Sequence, residues 1–481
     1  MSKFYITNAT PYVNAKPHIG HALEFIQSDT IARYHKILGD ETLFLCGSDE
    51  NAIKNVQAAE KAGIPIQEFV DKNSELFENL TKKLSVEFDI FEKGSSIQHH
   101  QGSQKLWKLC AANGDIYKKT YTGLYCVGCE TFYEKEELNE NGECFEHPGK
   151  KLEEVSEENY FFKLSKYQEQ LEKLISSDKL KIIPQTRKNE VLAFLKQGLR
   201  DISISRSNER AKNWGVQVPG DPNQRIYVWF DALNVYQSGL GFGSDDTYYH
   251  KWWPADLHVI GKGITRFHAV YWPAFLLSAK LKLPKSIFVH GYLTINGQKM
   301  SKTLGNVIDP LEMIEKFGAD ALRYYLLKEI SPTGDGDFSE EKLKDVYNAD
   351  LANGLGNVIA RVAKLCETAH YAQMGTASRE STHLMSIDEY AKALDEYRFN
   401  DALFFVWQKI KALDKFINDE KPWELIKQSK PTIKDVLAHC VDQIQETAAL
   451  LEPFMPETAI KIEEQFRGPE IKAQKPLFPR I

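Results

Sequence analysis

Two stretches of this chain, more than two hundred residues apart, share one grammar of strand, loop, helix and strand, and together they constrain the fold more than any other feature. The first runs from the β-prone Phe4-Tyr5-Ile6-Thr7 through a polar, proline-containing loop (Asn8 to Pro17). A helical pattern from Ile19 to Leu38, closed by Gly39, and the apolar run Thr42 to Gly47 complete it. The second runs from Leu257-His258-Val259-Ile260 through Gly261-Lys262-Gly263, a helix-like stretch from His268 to Lys280, and Ser286 to His290. A strand followed by a helix and a second strand makes a right-handed βαβ unit with parallel strands. The expected fold is therefore a doubly wound parallel α/β sheet split by an insertion.

Residues 116–219 have a different character, with clustered cysteines, the acidic run Glu134 to Glu140 and Gly220-Asp221-Pro222 at the far end; this is the expected inserted domain. The sheet then occupies 1–115 and 220–290, and 291–350 forms a loop and stem. From 351 to 481 the long amphipathic segments Leu351–Tyr371, Ile387–Leu413 and Ile433–Leu451 predict an α-helical bundle. A chain of 481 residues has room for about three such units.

Charge and cysteine usage narrow the function. Sixty basic against 67 acidic side chains give a net charge of −7, so any nucleic acid must be met by local basic or aromatic surfaces, and a charge-only binder is excluded. Seven cysteines, an odd number with one tight pair, point to a reducing compartment and a metal site rather than a disulfide framework. The N-terminus has no signal-peptide pattern, and the most apolar stretch, Val270 to Ala279, is interrupted by Trp272-Pro273 and too short to span a bilayer. A soluble, cytoplasmic protein without membrane contact is expected.

Two motifs suit polyphosphate chemistry. Pro17-His18-Ile19-Gly20-His21 stands where a loop enters the first helix. Free backbone N–H groups and the positive dipole end meet two imidazoles spaced for one helix face, and Gly20 leaves room for a planar base to approach the backbone. Gly297-Gln298-Lys299-Met300-Ser301-Lys302-Thr303 is a loop after a strand, whose two lysines can close on β- and γ-phosphates and neutralise a departing pyrophosphate. Alone, each has a bland reading: surface histidines near a cap, and a solvated basic loop.

A third motif, Cys126-x2-Cys129 followed by Cys144-x2-His147, supplies three thiolates and an imidazole on tight turns. That is a complete tetrahedral set for one zinc ion, with no open position, so the zinc is structural.

The pair His18-Ile19-Gly20-His21 and Lys299-Met300-Ser301-Lys302, in that order, resembles the two signatures of class I aminoacyl-tRNA synthetases. The text around them is similar to the methionyl-tRNA synthetase family in particular. Pro11-Tyr12-Val13-Asn14, Tyr125 to Glu130, Tyr227 to Ala232, Phe288 to Tyr292 and Lys421-Pro422-Trp423 carry the likeness over nearly the whole chain. Thr303 stands where the family often has serine, and Leu233 where some members have proline.

The resemblance implies a Rossmann-like catalytic domain, a one-zinc insertion, and a two-step ligase that joins methionine to its tRNA through methionyl-adenylate. His18, His21, Lys299 and Lys302 would be catalytic, and Gly20, Gly261 and Ser301 would join them in holding ATP with its Mg²⁺. Spacing alone reads Trp229 and Tyr236, seven apart, as core; the resemblance instead places Tyr12, Trp229, Tyr236, Ile264 and His268 around the methionine side chain. It gives Asp49, at a strand end, the α-ammonium. Asn357 and Arg361, four apart on one helix face, and Trp423, in a break between helices, match anticodon-reading residues. Elongator and initiator methionine tRNAs are the expected partners of a monomer. Two other readings stay open: activation of cysteine, leucine or isoleucine, and a binding module that has lost catalysis. The short insertion argues against large editing enzymes, the aromatic set against cysteine, and the two intact phosphate motifs against a dead module.

Overall fold

A computed structural model describes residues 2–126, 131–133, 135–145, 149–300, 305–372 and 388–481. Its centre is a six-stranded sheet in the order Ile90–Lys93 (β3), Glu41–Ser48 (β2), Lys3–Asn8 (β1), Leu257–Gly261, Ser286–His290 and Lys181–Ile183. Every pairing in it is parallel. Tyr5, Ile6, Thr7 and Asn8 are all buried, as expected of a strand covered on both faces. Strand order reverses between β1 and Leu257–Gly261, the switch point beside whose carboxyl ends open α/β sheets bind ligands.

The expected strands fall within a residue or two of these spans. Helix α1 runs Ile19–Ile37, with His18 as its N-cap and Leu38 as its C-cap, and Gly39 follows at φ 85°. The later helix begins as a π-helical turn, Phe267–Tyr271, and continues through Trp272–Ser278.

The segment between the two halves of the sheet departs from the expected boundaries in two ways. Its Lys181–Ile183 strand pairs with Ser286–His290 and so forms one edge of the central sheet. Gly220-Asp221-Pro222 lies at the turn of a β-hairpin: Gly220 has φ 81°, and Gln217–Val218 pairs antiparallel with Asp221–Ile226. A glycine-proline turn punctuates chains at hairpins as strongly as at domain limits, and here it does the former. The rest of the segment is built on an antiparallel ribbon in which Ile116–Cys126 pairs with Glu153–Phe162.

Among the described residues, every helix or strand after Phe338 is helical, including Asn357–Thr368, Phe399–Glu420, Pro422–Lys427, Ile433–Leu451 and Pro456–Phe466. One buried guanidinium ties these helices to the sheet. Arg323, on the helix Ala319–Glu329, pairs with Asp29 of α1 at 2.7 Å and donates to the carbonyls of Leu84, Pro453 and Phe454 at 3.2, 2.9 and 2.8 Å. A charge with no exposed surface is tolerated because its hydrogen-bonding capacity is met.

Candidate active site

A cavity of about 330 Å³ opens at the carboxyl ends of β1 and Leu257–Gly261. Its lining includes Tyr12, His18, Gly20, His21, Trp229, Gly261, Ile264 and Met300, which brings together two of the sequence motifs and three residues of the expected methionine-binding set.

The helix start sets the histidine pair. His18 Nδ1 accepts from the Gly20 N–H, and His21 Nδ1 accepts from the His18 N–H, each at 3.1 Å. The rings stack with centroids 3.9 Å apart. Because both Nδ1 atoms are acceptors, both rings carry their proton on Nε2, and both residues line the cavity. Burial, with His18 alongside, holds His21 well below the usual histidine range, so it stays neutral near pH 7. A Cβ on Gly20 would stand 3.0 Å from the His18 ring and 3.4 Å from Met300 Cε, so glycine permits this packing.

On the other wall Trp229 lies face to face with Phe267 (centroids 3.8 Å, planes within 5°) and edge-on to Tyr12 at 6.2 Å. Tyr236 and His268 do not line the cavity but stand behind Ile264. His268 Nδ1 donates to the Ile264 carbonyl at 3.0 Å, so its Nε2 accepts from the Tyr236 hydroxyl at 2.8 Å. Burial lowers His268 to about 4, against the opposing pull of that carbonyl, so the ring is neutral. Asp49 is buried at the end of β2, bridged through backbone to Tyr12, and its N–H donates to the Pro11 carbonyl at 2.9 Å. It too lies outside the cavity lining.

Lys299 lies on the short strand Gln298–Lys299, paired with Leu293–Ile295 across an Asn296-Gly297 turn with both φ angles positive, 53° and 72°. Asp337 fastens that turn, accepting from the Gly297 N–H at 2.8 Å and the Thr294 hydroxyl at 2.6 Å. Met300 reaches the cavity. Ser301 and Lys302 lie outside the described residues, as do Cys129 and His147. The other two expected zinc ligands, Cys126 and Cys144, are buried with their sulfurs 3.3 Å apart.

In the helical region Asn357 is exposed at the start of Asn357–Thr368. Arg361, one turn on, pairs with Asp414 and donates to Asn418 Oδ1 at 2.8 Å. Trp423 is 37% exposed, just after Lys421 in the left-handed region (φ 45°).

Sequence reasoning gave no role to Glu24, His290 and Met300, which line the cavity, nor to Phe267, which stacks on Trp229. Glu24 accepts from Asn8 Nδ2 at 3.2 Å and pairs with His290 Nε2 at 2.8 Å. Its position three residues after His21, on the same helix face, was the available signal. Met300 and His290 stood inside stretches already singled out without a role of their own, and Phe267 gave no signal beyond adjacency to His268.

Comparison with known proteins agrees with this geometry. The family described as tRNA synthetases class I (M) matches residues 4–363. A methionine–tRNA ligase of Thermotoga maritima is 42% identical over 97% of this chain and 75% of its own length. One from Brucella suis is 39% identical over 99% and 98%. The solved Mycobacterium tuberculosis methionyl-tRNA synthetase in complex with methionyl-adenylate superposes with a TM-score of 0.92 at 36% identity, covering all of both chains. A parallel sheet with its cavity at the switch point, a stacked histidine pair at a helix start and relatives of this similarity over nearly full length lead to one conclusion: the chain belongs to the methionine–tRNA ligases of the class I aminoacyl-tRNA synthetases.

Proposed function

We propose that this chain performs ATP-dependent methionine–tRNA ligation in its own cavity, with the roles divided as follows. The methionine carboxylate attacks the ATP α-phosphate, forming methionyl-adenylate and releasing pyrophosphate. The Nε2–H donors of His18 and His21 stabilise the negative charge that develops there. Being neutral and fixed by backbone N–H groups, they need no reorganisation during the step. Gly20 and Gly261 admit the nucleotide, and the loop carrying Lys299, Ser301 and Lys302 closes on the departing pyrophosphate, with Mg²⁺ accompanying the substrate phosphates. A ribose hydroxyl of the tRNA's terminal adenosine then attacks the adenylate carbonyl, giving methionyl-tRNA and AMP.

Methionine is held by Asp49 at its ammonium group and by Tyr12, Trp229 and Ile264 around its side chain, with Tyr236 and His268 completing the methionine-binding set through the hydrogen bond of His268 to Ile264. Polarizable aromatic faces suit a thioether. A neutral His268 fixed by the Ile264 carbonyl leaves the Tyr236 hydroxyl in a defined orientation, which supports selection against shape-matched aliphatic neighbours.

The insertion holds one structural zinc through Cys126, Cys129, Cys144 and His147. Two buried thiols at 3.3 Å fit such a set, since sulfurs on one tetrahedral zinc stand roughly 3.8 Å apart. When bound, the ion braces the knuckle and takes no part in the reaction. The helical region at 351–481 is a bundle that reads the anticodon with Asn357, Arg361 and Trp423, by stacking and base-edge hydrogen bonds rather than net charge. No helix among the described residues is long and apolar enough to cross a membrane. The working form we assign is a cytoplasmic monomer that charges elongator and initiator tRNAs.

The histidine pair at the cavity carries this reading. Amino-acid-dependent ATP–pyrophosphate exchange across the twenty amino acids, without tRNA, tests it. Exchange with methionine alone is expected; exchange with another amino acid overturns the pocket assignment, and none with any, in folded protein, overturns the activity.

A further inference from the structure

Asp231 joins the segment that carries Trp229 to the segment that carries Asp49, yet nothing in the reaction uses it. It lies in the short helix Val228–Ala232, two residues after Trp229, and is 1% exposed. Its Oδ1 accepts from Ser103 Oγ at 2.7 Å and from His99 Nε2 at 2.8 Å, both on the helix Ile97–Ala112. Its Oδ2 accepts from Asn51 Nδ2 at 2.6 Å. Asn51 also donates to the Gly94 carbonyl at 2.6 Å and sits two residues after Asp49. One carboxylate therefore connects the segment bearing the ammonium-binding aspartate, the segment bearing Trp229, and the helix beneath both.

That helix is a close-fitting platform. A Cβ on Gly102 would come within 2.7 to 3.0 Å of Phe242, Ser238 and Asn234, so the segment 234–242, which includes Tyr236, packs directly on its backbone. His99 completes the link by sharing its Nδ1 with Ser238 Oγ at 2.7 Å. Burial works against charge on both groups, but the adjacent Asp231 raises His99 overall and His99 lowers Asp231, so the contact favours the charged form of each.

We infer that Asp231 is a positioning residue that sets the distance between the two ends of bound methionine, the ammonium at Asp49 and the side chain at Trp229. The inference rests on the methionine pocket proposed above. Its two oxygens act on different elements, Oδ1 on the platform helix and Oδ2 on Asn51, so the two links can be cut separately. Cutting the Asn51 link frees the Asp49 segment from the Trp229 segment; cutting the Ser103 link only loosens the platform.

The test is pyrophosphate exchange by full-length Asp231→Asn, Asn51→Ala and Ser103→Ala, measured with methionine and with its longer homologue ethionine. For Asp231→Asn and Asn51→Ala, KM for methionine is expected to rise about tenfold or more, with KM for ATP within about twofold. The preference for methionine over ethionine should fall about fivefold or more, because a pocket without fixed length reads side-chain length less well. Ser103→Ala is expected to lower thermal stability while keeping that preference. An unchanged preference in Asn51→Ala, or parallel loss of methionine and ATP binding in both link variants, would overturn the assignment and leave Asp231 a packing residue. Asp49→Ala and Trp229→Ala are measured alongside. If neither changes KM for methionine, the pocket reading itself has failed, a result separate from failure of the Asp231 link.

Discussion

The Tyr236 hydroxyl donates to His268 Nε2 at 2.8 Å, and that direction is set by the Ile264 carbonyl, which takes the other imidazole proton at 3.0 Å. Folding thus buries His268 neutral, with its pKa lowered from about 6.5 to about 4. Between those values the unfolded chain binds the extra proton and the native one does not. The stabilisation is complete above about pH 6.5 and is lost as pH falls toward 4, amounting to ~3 kcal/mol for a side chain only 1% exposed. His21 and His258, lowered in the same direction by burial, add to the slope. Urea unfolding at pH 7 and pH 5 should show a large drop in wild type and a smaller one in His268→Gln.

At Gly20 a substitution should affect activity far more than stability. Alanine improves helix propensity by up to about 1 kcal/mol, which offsets the cost of disturbing the His18 cap, about 0.5–2 kcal/mol, so the unfolding temperature of Gly20→Ala should change little. Its Cβ, 3.0 Å from the His18 ring, displaces the Nε2–H donor. Single-turnover adenylate formation should slow about 10- to 100-fold, with KM for methionine little changed.

Cys144→Ala should reduce zinc, measured by atomic emission on purified protein, from one equivalent to none, and lower the melting temperature of the insertion. Retention of one zinc would remove Cys144 from the ligand set.

Asp29 and Arg323 form a buried pair whose partners cannot be removed singly without cost. Asp29→Ala leaves a guanidinium with no exposed surface short of its counter-charge and should cost about 3–5 kcal/mol in denaturant unfolding. Asp29→Ala with Arg323→Met should recover part of that loss, because the fully buried charge is gone while Arg33, which also pairs with Asp29 at 2.8 Å, keeps Glu87 as a partner.

Trp423→Ala should lose about 100-fold or more in charging of methionine tRNA while leaving pyrophosphate exchange intact, since an exposed ring can be cut without opening a core. Loss of both steps together would make Trp423 a structural residue.

Much of the sheet and part of the site were legible because they follow local rules. Ile19 to Leu38 carries helical periodicity with Gly39 after it, and Ser286 to His290 is an apolar run of strand length. The histidine pair was readable from its place at a helix entry. Lys181–Ile183 was not: three residues in a charged stretch become a strand only because Ser286–His290 offers an open edge. The same limit hid Asp231 and Phe267. Each acquires its role from a partner distant in sequence, Asn51 for one and Trp229 for the other, and periodicity does not report such pairings. Gly220-Asp221-Pro222 misled for the opposite reason, since its local signal is strong but common to hairpins and boundaries.

The position of β1 has a consequence for synthesis. Its partner on one side, β2, follows within about forty residues, but on the other side the Leu257–Gly261 strand is encoded some 250 residues later. At ~5–20 residues per second that strand leaves the ribosome roughly 10 to 50 s after β1. Throughout that interval one edge of β1, a strand of Tyr5, Ile6 and Thr7 that the finished protein buries completely, has no native neighbour to pair with. The nascent chain therefore carries an unpaired apolar edge until more than half of it has been made, and the window for misassociation is set by the 251 residues between paired positions of the two strands, of which the insertion is less than half.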